Sequence, residues 1–192
     1  MNPVTHLLIG WTLAEASLAA RRDRALVTLA GIAPDIDGAG ILVDLASGQH
    51  PSAGAYATYH HVFAHNLAAG IAVALAVFAL ARRRAACAAL ALLAFHLHLL
   101  GDLVGSAGPG GSLWTLSYLY PFSPRTFVWQ GQWELNAWPN LLVTALLLVA
   151  AGAAALRRGR SPLELVSLRA DAALVAALRR RFGRATGETR CI

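Results

Sequence analysis

The stretch RRRAACAALALLAFHLHLLGD, residues 82–102, decides how the chain is read. Three arginines open it, Ala85–Leu100 is apolar apart from two histidines near its end, and Gly101-Asp102 closes it. The run lacks the alternation of a half-buried strand and is longer than most strands, so it predicts a helix that is apolar on every side. Its two ends carry different chemistry, with cations at the start and His96, His98 and Asp102 at the finish. Helical spacing places His98 and Asp102, four apart, on one face. His96 and His98, two apart, point to different faces, and His98 is preferred because it pairs with Asp102.

Working outward, the same plan recurs. Further apolar runs lie at Leu7–Ala20, Ala25–Ala33, Leu67–Ala81 and Leu141–Leu156. A run of about 15 residues rises roughly 22 Å, short of the roughly 30 Å hydrocarbon core of a bilayer, so each needs a few flanking residues to cross. Ala25–Ala33 is too short to cross alone and is expected to be half-inserted or packed inside the bundle. Composition agrees: 57% of residues are apolar, 14% are charged and the mean hydropathy is +0.53. Soluble domains carry roughly 45–50% apolar and 25% charged residues. The expected class is all-α, a polytopic membrane bundle of about 4–5 membrane helices. Residues 1–158 would form the membrane-embedded domain, and residues 159–192 a cytoplasmic basic tail containing an amphipathic helix.

The sequence contains no lysine, and its sixteen basic residues are all arginine. They cluster at Arg21/Arg22/Arg24, Arg82–Arg84, Arg157/Arg158/Arg160 and along the tail. Threading the helices up and down puts every arginine except Arg125 on one face, which the positive-inside rule assigns to the cytoplasm. The net charge of +6 is then a consequence of topology, and no nucleic-acid partner is expected. Cys87 and Cys191 form neither a disulfide framework nor a cysteine zinc site. The N-terminal apolar run has its charges after it instead of before it, so it reads as a retained first helix, not a signal peptide.

The opposite face collects His6, Asp35, Asp37, His60, His61, His65, His96, His98 and Asp102, with His50 in a nearby loop. Ionisable groups at membrane depth are costly and mark sites or pathways. His61 and His65 share the i, i+4 relation of His98 and Asp102; His60 can pair with His65 if it precedes the helix. Asp35-Ile36-Asp37 follows Pro34, where the chain leaves a helix and can turn both carboxylates inward. Imidazole and carboxylate without thiolate suit Zn²⁺ first, with Mn²⁺ or Fe²⁺ as alternatives. So many donors predict two or three ions, at about four ligands each. An uncoordinated Asp35 or Asp37 would serve as general base, with His61 and His96 as contacts to ligands or substrate. There is no Gly-x-Ser-x-Gly elbow, so hydrolysis by metal-activated water is the simplest enzymatic reading, on a small phosphoester or a membrane lipid. The alternatives are a structural or ion-handling metal site, as in a transporter or sensor, and a non-enzymatic scaffold that binds partners through its tail. Helix centres rich in Ala and Leu disfavour a conduction path.

Two further segments complete the chain. Residues 105–140 combine a Gly-rich connection with aromatic residues, among them Trp114, Tyr118, Tyr120, Trp129 and Trp133, expected along the outer interface. Ser161-Pro162-Leu163-Glu164 reads as a capping box opening the tail helix, and residues after Gly183 are expected to be disordered.

Thr5-His6-x₃-Gly10, Ala30-Gly31-Ile32-Ala33-Pro34-Asp35-Ile36-Asp37, His60-His61-Val62-Phe63-Ala64-His65, His98-x₃-Asp102 and Tyr120-Pro121-Phe122-Ser123-Pro124 together resemble the YdjM-type proteins. These are bacterial inner-membrane proteins classed as metal-dependent hydrolases and also described as LexA-binding. The resemblance covers about residues 1 to 130. It implies a distant similarity to zinc-dependent phospholipase C and P1 nuclease, hence phosphoester hydrolysis. It also implies His6, Asp35, Asp37, His60, His65, His98 and Asp102 as the functional positions. His61 stands where the family usually has Arg, and Asn66 where it usually has Ser.

Overall fold

The computed structural model describes residues 1–48, 50, 54–56, 60 and 62–183. His61 and the residues after 183 lie outside the described residues. Helices α1 (Pro3–Ser17), α2 (Arg21–Ile32), α3 (Gly40–Ser47), α4 (Leu67–Leu80), α5 (Arg84–Gly105), α6 (Trp138–Arg158) and α7 (Leu168–Phe182) make up the chain, with 3-10 turns at Ala33–Ala39, Pro109–Gly111 and Pro162–Leu165. Among the described residues there is no strand; two isolated bridges, Ala107 with Glu134 and Leu116 with Phe127, tie the segment between α5 and α6.

Among the described residues, three helical stretches are long and apolar enough to cross a membrane: Arg21–Ser47, Arg84–Gly105 and Trp138–Arg158; α4 is apolar but shorter. The run Ala25–Ala33 is therefore part of a longer helical stretch, because α2 passes through the 3-10 turn straight into α3. The apolar count at sequence level misses this continuation, since Asp35 and Asp37 interrupt it.

The bundle core is built from small residues. Ala14, Ala30, Ala81, Cys87, Ala91 and Ala94 pack with Leu18, Val27 and Val77 where α1, α2, α4 and α5 meet. In lipid such residues let backbones approach closely, and dispersion then holds the helices together. Gly10 and Gly31 mark a close approach of α1 and α2. A Cβ on Gly31 would meet the Gly10 Cα at 3.3 Å, and one on Gly10 would meet the Thr28 backbone at 3.2 Å.

Helix starts follow local chemistry. The Asn2 side chain accepts from Thr5 N at 2.9 Å, with Pro3 in the first turn of α1. Asn66 caps α4 by accepting from Ala69 N at 2.8 Å. The departure from Ser at position 66 is thus an exchange of one good N-cap for another.

The arginine end is stapled by buried carboxylates. Asp23 accepts from Arg82 N at 2.8 Å and Arg83 N at 3.2 Å, fixing the turn between α4 and α5. Glu15 pairs with Arg158 and Arg160, each at 3.1 Å. Glu164 pairs with Arg24, whose Nε lies 2.7 Å from it, and accepts from the Trp11 indole at 3.0 Å. The capping box read from sequence does not form. Glu164 turns to Arg24 instead, residues 162–165 are a 3-10 turn, and α7 is capped by Ser167, whose side chain accepts from Ala170 N. Asp171 takes the vacated role by accepting from Ser161 N and Oγ, both at 2.6 Å.

Candidate metal centre

At the end of the bundle opposite the arginines, four segments deliver polar side chains to one place. His6 comes from the first turns of α1. Asp35 and Asp37 come from the 3-10 turn, held after Pro34. His60 and His65 come from the chain before α4, and His98 and Asp102 from adjacent turns of α5. His6, His65, His98 and Asp102 are all buried.

Donor atoms of Asp35, His65, His98 and Asp102 all lie within 4.8 Å of one another. His98 Nε2 is 3.0 Å from Asp102 Oδ2, 3.3 Å from His65 Nε2 and 3.6 Å from Asp35 Oδ1. His65 Nε2 is itself 3.3 Å from Asp102 Oδ2. The far nitrogens of both rings are tied. His98 Nδ1 donates to the Gly31 carbonyl at 2.8 Å, and His65 Nδ1 faces Asp37 Oδ2 at 3.0 Å. With the hydrogen on Nδ1 in each ring, both Nε2 lone pairs point at the same spot, alongside two carboxylates. Two lone pairs 3.3 Å apart require a cation or a proton between them, and a divalent ion with two imidazoles and two carboxylates fits that requirement. Asp35 Oδ2, buried and without a hydrogen-bond partner, is a further donor available to such an ion.

Asp37 does different work. Its oxygens accept from His60 Nδ1 at 2.8 Å, His65 Nδ1 at 3.0 Å and Ala64 N at 3.2 Å. Asp37, His60 and His65 also form a group compact enough for an ion. An ion there and one in the first group would have to share His65 through both ring nitrogens. Hydrogen bonding within the second group satisfies it without that, so the arrangement suits one complete donor set buttressed by a carboxylate.

Burial pushes the His65 imidazole down, but hydrogen bonds and charge from Asp102 and Asp37 outweigh it and raise its pKa to about 9. In the absence of an ion, a proton held there separates the two rings.

His6 lies beside the set, not in it. Its ring stacks on His98 at 3.6 Å, its Nε2 is 3.1 Å from Asp102 Oδ1, and its Nδ1 is buried without a partner. His96 points away, with Nδ1 on the Leu92 carbonyl at 2.8 Å and Nε2 on the Tyr118 hydroxyl at 3.0 Å. It fastens the aromatic segment to α5.

A cavity of about 280 Å³ opens against the cluster, lined by Asp35, Tyr56, His60, Asp102, Ser106 and Trp114 among others. His60 stacks on Tyr56 at 4.5 Å and meets the Trp114 edge at 5.5 Å. Sequence reading missed Tyr56, Trp114 and Ser106. Ser106 was findable, since it extends the His98–Asp102 spacing by another four residues and donates to Asp102 Oδ1 at 2.9 Å. Tyr56 is helical and Trp114 lies in the segment between α5 and α6, and neither stands at a spacing that ties it to the donors.

No curated protein and no solved structure matches the chain. A family model described as YdjM inner membrane protein matches residues 1–181. That span takes in the bundle, every donor of the cluster and nearly all of α7, and the chain belongs to the YdjM inner membrane protein family.

Proposed function

We propose that this protein is a membrane-bound, metal-dependent hydrolase of a phosphoester. One observation carries the proposal: His65 and His98 aim their Nε2 atoms at a point shared with Asp35 and Asp102, while Asp37 and the Gly31 carbonyl hold the opposite nitrogens. His65, His98, Asp102 and Asp35 would hold the ion, with Zn²⁺ preferred for nitrogen and oxygen donors of this number. A bound divalent ion would polarise a phosphoryl oxygen and acidify water beside it.

The chain's own residues supply the rest. Asp37 orients His65 and His60 together, one through each carboxylate oxygen. His60 faces the cavity with its Nδ1 hydrogen held by Asp37, so its Nε2 can carry a proton to or from a reacting oxygen. Tyr56 and Trp114 wall the cavity and limit access of bulk water. In the overall reaction water adds across one P–O bond, the phosphoryl group keeping the hydroxyl and the departing alkoxide taking the proton. The arginines sit at the other end of the bundle, so the cluster faces the non-cytoplasmic side and the C-terminus is cytoplasmic.

The test is metal content of detergent-purified protein, with turnover of a generic phosphodiester on the same samples. Wild type should hold one equivalent of ion, and His98→Ala/Asp102→Ala should lose both ion and turnover by at least tenfold. Protein purified without chelator that holds no stoichiometric ion would sink the proposal. Ion without turnover on any phosphoester would leave a structural or ion-handling centre.

A further inference from the structure

The arginine end of the bundle carries more positive charge than its own carboxylates balance. Glu15, Asp23, Glu164 and Asp171 are all buried there. Each is already engaged: Glu15 by Arg158 and Arg160, Asp23 by the Arg82 and Arg83 amides, Glu164 by Arg24, and Asp171 by Ser161. Arg22, Arg82–Arg84, Arg157, Arg169, Arg180 and Arg181 are exposed. Among the described residues, none of these side chains has an ion pair or a hydrogen bond. They come from the start of α2, the junction of α4 and α5, the end of α6 and α7. The unpaired charge is therefore spread over the whole end.

Helix α7 adds apolar surface at the same place. Helical spacing puts Leu168, Leu174, Val175, Leu178 and Phe182 on one stripe, with Arg179 and Arg181 flanking it and Arg169 and Arg180 opposite. The bundle covers only the middle of that stripe. Val175 is buried, whereas Leu168 is 58% exposed, Phe182 65% and, just before the helix, Val166 87%. Leu174 and Leu178 line an apolar groove of about 420 Å³ between α1 and α6, together with Leu7, Leu148 and Leu163. The stripe thus joins the apolar outer surface of the bundle.

We infer that this end binds a layer of anionic phospholipid headgroups, with the exposed ends of the α7 stripe seated among the acyl chains beneath them. A soluble acidic partner would be matched by a local cationic patch. Arginines contributed by separate elements around an apolar rim match an extended anionic plane instead. Arginine suits that plane, because its stem can lie along apolar surface while the guanidinium donates two parallel hydrogen bonds to a phosphate. The contact lies at the end of the bundle away from the donor cluster, and it holds whether or not the protein is a hydrolase.

The experiment uses the full chain reconstituted in phosphatidylcholine vesicles. These contain a trace of either phosphatidylglycerol or phosphatidylcholine, at the same mole fraction, spin-labelled on an acyl chain. In a Cys191→Ser background, Phe182→Cys carries a fluorophore, and buried Cys87 stays unlabelled. Spin-labelled phosphatidylglycerol should quench that fluorophore at least about fivefold more than spin-labelled phosphatidylcholine, the gain expected from roughly one arginine beside an anionic headgroup. Salt at about 1 M should bring the two within about twofold, as should Arg169→Gln/Arg180→Gln/Arg181→Gln. A fluorophore at Ala173→Cys, exposed on the opposite side of α7, should be quenched by neither lipid. Equal quenching by the two lipids at low salt would reveal an apolar contact blind to charge and overturn the inference. No quenching by either would also overturn it and leave the face to a soluble partner. The salt comparison uses the native arginines, so it decides even if the triple variant fails to fold.

Discussion

At the residue scale the cluster is organised by which nitrogen of each histidine is already committed. His98 is fixed by the Gly31 carbonyl and His65 by Asp37, and hydrogen bonds of this kind set tautomer and ring orientation in metal sites. Asp37→Asn should therefore be milder than loss of a donor. An amide accepts from one imidazole and presents a donor to the other, so metal affinity should fall by roughly 10- to 100-fold, while His98→Ala should abolish stoichiometric binding. Competition against a chromophoric chelator separates the two; equal losses would mean Asp37 binds the ion directly. The pKa of His65, raised to about 9, gives a second prediction. An ion must displace the proton on His65, so apparent affinity should rise about tenfold per pH unit up to roughly pH 9. A flat affinity between pH 6.5 and 8.5, about the range in which an ordinary imidazole is already neutral, would show that His65 carries no such proton.

At the element scale the helices are joined twice, by small residues within the bundle and by buried ion pairs at its arginine end. Arg24 and Glu164 are each 3% exposed. Burial pushes the Glu164 carboxyl up, but hydrogen bonds from Arg24 and Trp11 outweigh it and hold the group below its ordinary range. Glu164→Gln leaves the Arg24 charge buried without its partner and should cost about 3 kcal/mol, read as a lower midpoint of thermal unfolding in detergent. A group with a depressed folded-state pKa stabilises fully above its unfolded value and loses that contribution as pH falls through the folded one. The wild-type midpoint should thus drop below about pH 4, and the gap to Glu164→Gln should narrow there. A gap that stays constant down to pH 3 would assign the effect to packing. The same pair shows where sequence reading stops. Apolar runs, arginine clusters and the i, i+4 spacing of His98 and Asp102 are local patterns and could be read directly. Glu164 meets Arg24 across 140 positions, and a helix-start motif concealed that partnership. Likewise His60 and His65 look equivalent in sequence; only the placement of Asp37 between them separates a ring aimed at the donors from one aimed at the cavity.

At the scale of the whole molecule, the two kinds of charged chemistry are sorted to opposite ends of an apolar bundle about 20–30 Å long, and that sorting fixes how it can sit in a bilayer. The arginine end cannot be drawn through the hydrocarbon cheaply, and arginines near helix ends stay on the cytoplasmic side. In the orientation proposed above, the end carrying the cluster, with the segment between α5 and α6 folded over it, faces the other way. Phe122 in that segment is 86% exposed, whereas Cys87 is buried in the core. In a Cys191→Ser background, Phe122→Cys should react with a membrane-impermeant maleimide on intact spheroplasts, and Cys87 should not compete. Green fluorescent protein fused after Gly183 should fluoresce, because it folds on the cytoplasmic side. Labelling of Phe122→Cys only after lysis, together with a dark fusion, would invert the molecule. The cluster would then face the cytoplasm.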